Sequence, residues 1–326
     1  MKTKKNYLKY IAVALVVVFV VTAALMFIEV WESREGKFPE TSVDEDVVFN
    51  GKEYRLKDGI ETFLVLGLDK FDGQTTADSH ESGVQADFLM LFVFDNTSEQ
   101  LTAVHINRDT MAQVNKLGVG GARIDTFTKQ IALSYNYVAD DNDKVRCGNT
   151  KDSVQALLHG VKIDHYLSLT MDSVPALNDL VGGVEVEVLD DFTGIDDALV
   201  KGQTVRLMGE QALRYVRTRY GLEDSSNSTR MVRQQQYIEA LHKQFTECVS
   251  ADDGFIIKAV ETMDDYLVYD SSDQKMQKFA EKFDSYEFLG VRQIEGETRI
   301  GEQFAEFYPD EQALRQLVID LFYTEK

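Results

Sequence analysis

Three short apolar runs, each bounded by charged residues, restrict the fold of this chain more than any other feature. Residues 62–68, 88–94 and 101–106 are β-rich and of strand length. The first stops at Gly67-Leu68-Asp69, the second starts just after Asp87, and the third stops at Asn107-Arg108-Asp109. Laid out as an antiparallel meander, the first run ends at the edge where the second begins, and the third returns to it. Asp69, Asp87, Arg108 and Asp109 should then share one rim of the sheet. The polar stretch 71–86 is long enough to be a functional loop rather than a turn.

A second cluster lies further on, where Arg217 and Arg219 alternate with Val216 and Thr218. Period-two spacing predicts a strand with both guanidiniums on one face. Past a polar turn, residues 229–245 carry Val232, Ile238, Leu241 and Phe245 at roughly helical spacing, so Arg230, Arg233 and Gln234 fall on the first turns of a helix. Guanidinium forks and free amide groups at a helix start match phosphate oxygens. The competing explanation is a solvated basic face, or arginines that neutralise nearby acids.

Helices are expected over residues 127–138, 150–160 (capped by Thr150), 174–181, 209–213, 255–266, 273–286 and 311–322. Further strands are expected over 164–170, 183–189 and 287–291, with a hairpin about Asn50-Gly51. Interleaving of this kind indicates one α/β domain, a layered sandwich with a mixed central sheet. The run Gly118-Val119-Gly120-Gly121 lacks phosphate-loop spacing and reads as a turn. His105 reads as a core or edge histidine, without a catalytic role.

The 326 residues suffice for a substantial core. Net charge is −21, and because the first 28 residues hold four lysines and no acids, the remainder carries −25. So acidic a chain is not a non-specific nucleic-acid binder. Lys2, Lys4, Lys5 and Lys9 precede eighteen residues, 11–28, broken only by Thr22. That predicts a cytoplasmic tail over 1–10, a membrane anchor over 11–28, a stalk over 29–58 and a domain outside the membrane from 59 onward. A cleaved signal peptide, cut near Thr22-Ala23-Ala24, is the alternative. Cys147 and Cys248 would then lie where pairing is allowed, although their spacing does not say whether they meet.

Motifs in this order resemble the LytR-CpsA-Psr family: Val65-Leu66-Gly67-Leu68-Asp69; Ala86-Asp87; Ile106-Asn107-Arg108-Asp109-Thr110; Leu180-Val181-Gly182-Gly183-Val184-Glu185-Val186; the stretch from Gly209 through Arg217 and Arg219; and Arg230-Met231-Val232-Arg233-Gln234. The resemblance runs from about residue 60 to 245, with a C-terminal helical portion over 250–326. It implies a three-layer α/β/α sandwich with a deep apolar pocket for a lipid tail. The implied activity moves a glycopolymer, such as teichoic acid or capsular polysaccharide, from a polyprenyl-pyrophosphate carrier to peptidoglycan. By position, Asp69 and Asp87 match ligands of Mg2+ (or Mn2+). Arg108, Arg217, Arg219, Arg230 and Gln234 match the pyrophosphate surroundings, which Arg233 and Asn227 adjoin, and Asp109 stands beside them as a catalytic candidate. Three positions depart from the family pattern: Gln85 replaces an arginine, Asn107 a proline and Asn227 an acidic residue.

These residue types suit phosphoryl chemistry, because fixed cations stabilise charge developing on phosphate oxygens. Asp69, Asp87 or Asp109 could each serve as the base for an acceptor hydroxyl. A polyprenyl-pyrophosphate hydrolase and a non-catalytic anchored receptor or envelope regulator use the same residues and stay open.

Overall fold

The computed structural model describes residues 45–70, 84–302 and 304–326. The anticipated tail, the anchor and most of the loop after Asp69 lie outside them. No described helix is long and apolar enough to cross a membrane.

The chain opens with β1 (Asp46–Phe49), β2 (Lys52–Leu56), β3 (Ile60–Leu68), β4 (Ala86–Asp95) and β5 (Gln100–Ile106). Then come β6 (Met111–Leu117), β7 (Arg123–Gln130), α1 (Asp143–Leu157), β8 (His165–Leu169), α2 (Ser173–Leu180), β9 (Val184–Glu187) and β10 (Thr204–Leu207). The arginine-bearing helices are α3 (Glu210–Arg217) and α4 (Asn227–Ala251), followed by α5 (Phe255–Met263), β11 (Leu267–Tyr269) and α6 (Asp273–Ser285). The chain closes with β12 (Glu287–Gln293), β13 (Gly296–Ile300), β14 (Ala305–Pro309), α7 (Glu311–Phe322) and β15 (Tyr323–Glu325).

A six-stranded sheet in the order β11-β8-β3-β4-β5-β12 forms the centre. β3, β4 and β5 make the anticipated antiparallel meander, while β8 and β12 pair in parallel on its flanks, so the sheet is mixed. Alternate side chains leave opposite faces. Leu64, Leu66, Leu89, Leu91 and Val104 pack with α1 and α7. Phe63, Val65, Met90, Phe92 and Phe94 face α4, α5 and α6. The turn at Asn50-Gly51 does join β1 to β2, and β15 pairs with β2.

Several expectations are corrected. The anticipated strand at Arg217 and Arg219 is the end of α3, whose Ala212, Leu213, Tyr215 and Val216 are buried at helical spacing, with Arg219 in the loop beyond. Residues 127–138 are not helical: β7 runs to Gln130 and a single 3-10 turn spans Ile131–Tyr135. Helix α1 starts at Asp143, capped by Asn142, whose side chain accepts the Lys144 N–H. Thr150 lies buried inside that helix and donates to the Arg146 carbonyl. Cys147 and Cys248 are both free thiols, in different core clusters. Burial pushes the Cys147 thiol up to about 12.

Candidate active site

The meander places the charged residues at one rim. Asp69 leaves β3 with its N–H still donating to the Gln85 carbonyl at 3.0 Å, so it remains beside the start of β4 and Asp87. At the end of β5 the chain turns through Asn107. The Asn107 side chain accepts the Asp109 N–H at 2.9 Å, and its carbonyl accepts the Thr110 hydroxyl at 2.6 Å. This local asparagine turn presents Arg108 to the rim. Asn107 Oδ1 also accepts Asn227 Nδ2 at 2.8 Å, which ties the turn to the first residue of α4. A proline at 107 would supply neither of the two bonds that Oδ1 accepts.

Arg108 pairs with Asp87, and its Nε lies 3.2 Å from Asp109. Arg230 Nη1 approaches the other Asp87 oxygen at 3.6 Å, and its Nη2 donates to Asn227 Oδ1 at 2.5 Å. Arg217 reaches Asp69 at 3.0 Å. Arg230 is only 4% exposed, and its Nε has no hydrogen-bond partner among the described residues. Burial holds Arg230 down to about 10, against the pull of Asp87, with the guanidiniums of Arg219 and Arg108 pushing the same way as burial. Crowded, partly dehydrated cations of this kind are relieved by a bound anion.

The rim caps a cavity. Asp87, Arg217, Arg230 and Gln234 stand with apolar walls of Leu68, Phe88, Leu169, Leu177, Val216 and Ile238 around roughly 800 Å3 of open space. Phe88, Leu169, Leu177, Ile238 and Leu241 also border a second space of about 1010 Å3, lined further in by Val65, Phe92, Phe245, Ala259, Val260 and Phe283. Sharing these five residues, the two spaces adjoin and make up an apolar passage between the sheet and α2, α4, α5 and α6. Gly67 stands near its mouth, where an added Cβ would lie 2.8 Å from Phe88 Cβ. A side chain there would force Phe88 to move.

Three of the expected site residues occupy other places. Arg233 is 1% exposed and faces away from the passage. Its guanidinium donates to the Tyr215 carbonyl at 2.5 Å and to that of Thr218, stacks 5.3 Å over the Phe192 ring, and lies 2.9 Å from Asp190. The Asp190 contact is an ion pair outside hydrogen-bond alignment, since neither atom has a hydrogen-bond partner. Arg233 therefore caps the last carbonyls of α3 rather than binding a ligand. Asp109 is buried behind Arg108, where its Oδ1 also accepts Gln130 Nε2 at 3.1 Å. Arg219 lies 5.4 Å over the Tyr220 ring and acts on Arg230 through its charge. Gln234 borders the cavity while donating to the Val216 carbonyl at 3.1 Å.

Mg2+ suits the donor chemistry of Asp69 and Asp87, since it takes hard oxygens and completes its shell with water and phosphate. Each carboxylate is held by a guanidinium in this structure. Among the described residues, no three His, Cys, Asp or Glu side chains gather as a metal cluster. The pair alone would have to serve.

His105 is buried against Phe88, and its Nδ1 has no hydrogen-bond partner among the described residues. Burial first, and Arg230 second, lower it to about 3, so it stays neutral and takes no part in proton transfer near neutrality. Its folded-state value lies below the unfolded one of about 6.5, so the unfolded chain takes up this proton first. The stability it allows is complete above about pH 6.5 and is lost as pH falls toward 3. Urea midpoints should show wild type losing roughly 1 kcal/mol per pH unit relative to His105→Phe across that window. Parallel losses in the two proteins would contradict this.

An apolar passage thus ends at a rim of paired arginines and carboxylates. The sequence profile of the LytR_cpsA_psr family matches residues 27–319, and the chain belongs to that family. It is 28% identical over 201 residues to polyisoprenyl-teichoic acid–peptidoglycan teichoic acid transferase TagU of Halalkalibacterium halodurans, covering 61% of this chain and 58% of that protein. Cell wall biosynthesis protein LcpA of Corynebacterium glutamicum is 27% identical over 210 residues, 57% of this chain and 40% of LcpA. The matches thus span about two to three fifths of these relatives' lengths. Among solved structures, B. subtilis TagV superposes with a TM-score of 0.59 at 21% identity, covering 81% of this chain and 98% of TagV. TagT bound to LI-WTA gives 0.60 at 19% identity, covering 86% and 96%. At such identities these two establish the shared fold.

Proposed function

We propose that this protein transfers a glycopolymer phosphate from a polyprenyl-pyrophosphate carrier to a hydroxyl of peptidoglycan. Its domain would stand outside the membrane, behind the anchor expected over residues 11–28. The observation that carries this reading is the passage itself, whose apolar walls end at Arg217 and Arg230, with Arg108 beside them on Asp87. A prenyl tail would gain about 0.8 kcal/mol for each CH2 buried there, and the pyrophosphate would come to rest at the guanidiniums. The names of TagU and of the ligand bound to TagT point the same way.

In the reaction, the acceptor oxygen bonds to the sugar-side phosphorus as the anhydride P–O bond breaks. Polyprenyl phosphate departs with the electron pair, and the hydroxyl proton passes to a carboxylate of the rim. Arg108, Arg217 and Arg230 meet the charge that grows on the leaving oxygens with little reorganisation. Bound Mg2+, held by Asp69 and Asp87, would supply further neutralisation of the phosphates.

The test is full-length protein in detergent with a polyprenyl-pyrophosphoryl oligosaccharide and uncrosslinked peptidoglycan strands. A new phosphodiester-linked product is expected. Free sugar phosphate alone would favour a hydrolase, and tight lipid binding without product would favour a receptor. Ala259→Trp adds its own check, since Ala259 lines the inner part of the passage. Filling that space should lower kcat/KM for a long-chain donor at least about tenfold, the worth of about two lost CH2 contacts, and spare a short-chain donor. Equal losses for both donors would place the tail elsewhere.

A further inference from the structure

On the opposite side of the rim from the lipid passage lies a second, open cleft of about 1850 Å3. Its sides are the end of β12, the β13–β14 hairpin and the first turns of α7, contributing Gln293, Glu297, Arg299, Tyr308, Gln312 and Gln316. Accepting the proposed transfer, we infer that this cleft holds the acceptor, a polyhydroxyl glycan strand.

Position is the first argument. Ile294 and Phe307 of the cleft belong to the core cluster on the α1 and α7 face of the sheet, whereas the passage opens on the other face. Phosphoryl transfer brings the attacking and leaving oxygens roughly into line across phosphorus. Since the leaving polyprenyl phosphate would sit on the passage side, the attacking hydroxyl arrives from the cleft side.

Registration is the second. The Phe307 N–H donates to the Asp109 carbonyl at 2.9 Å. Gln130 Nε2 bridges Asp109 Oδ1, at 3.1 Å, and the Ala305 carbonyl, at 2.7 Å. The β14 wall is thereby fixed to the residue next to Arg108. At the other border, Ser228 lines the cleft one residue from Asn227, which holds both Asn107 and Arg230.

Chemistry is the third. Amides, carboxylates and a tyrosine suit hydroxyl and acetamido groups. Arg299 already lies 4.7 Å over the Tyr308 ring and pairs with Glu297. With Glu295, Glu297, Asp310 and Glu311 lining it, the cleft repels a phosphate-rich polymer, which separates acceptor from donor.

The experiment measures binding of fluorescent, uncrosslinked peptidoglycan strands to the full-length protein in detergent, together with KM for strand and for donor. Gln312→Trp, at an exposed position, fills the cleft, and Tyr308→Ala removes a ring and a hydroxyl from its wall. Each should weaken strand binding and raise the strand KM about tenfold, with the donor KM unchanged. Strands that bind both variants as they bind wild type, or that fail to bind wild type, would overturn the inference. Strand binding lost in the variants, from a protein that never forms product, would support the cleft and sink the transfer reading instead.

Discussion

Arg108→Ala is expected to lower kcat/KM for transfer at least about tenfold. A charge-assisted hydrogen bond to phosphate is worth roughly 1.5–3 kcal/mol, and each 1.4 kcal/mol is about a factor of ten in rate. The domain should stay folded, because Asp87 keeps Arg230 and Asp109 keeps Gln130 after the side chain is gone. Arg108→Lys should recover only part of the rate, since an ammonium restores the charge but not the planar fork. Initial rates at several donor concentrations, with thermal melting alongside, decide the matter. Full activity in the alanine variant would remove Arg108 from the chemistry.

Arg233→Ala should act on stability instead, costing roughly 3–5 kcal/mol. The loss would strand Asp190 and leave the Tyr215 and Thr218 carbonyls without their donor. It would also strip the Phe192 and Tyr215 rings of the cation they stack against. Removing one partner of a buried pair is worse than removing both, so Arg233→Met combined with Asp190→Leu should recover much of the denaturation midpoint. A single alanine variant that unfolds at the wild-type midpoint would contradict the capping role.

The contrast between Arg230 and Arg233 shows what could be read in the chain. Both stand on the first turns of one helix, as their spacing predicted, and helical residues three apart share a neighbourhood. Which of them meets a ligand depends on what packs behind, and Asp190 and Phe192 lie too far along the sequence to signal that. The meander was legible because β3, β4 and β5 are dense in β-branched and aromatic residues, and its connectivity alone brings Asp87 and Arg108 together. The segment at Arg217 was misread because a short helix shows only two turns, and arginines two apart imitate a strand. β7 carries almost no burial signal, being exposed along most of its length. The buried face of α1 is polar, with Asn149, Thr150 and Ser153 inside, so its true start was masked. The asparagine turn at 107 did have a local cue, an Asn directly after a strand, and that cue went unused.

Helix α4 touches every part of the proposed donor. Arg230 stands at the headgroup, Ile238 and Leu241 line the middle of the passage, and Phe245 stands by its inner part. From Arg230 to Phe245 is fifteen residues, about 22 Å of helix at 1.5 Å per residue. With such a donor bound, the helix would work as a dipstick, with the phosphate fixed at the zero mark and each successive turn reading a deeper carbon. On the proposed reading, affinity should climb stepwise as prenyl units are added and level off once the gauge is full. On that reading any longer tail would run past the inner end of the gauge, and further prenyl units would add nothing to affinity.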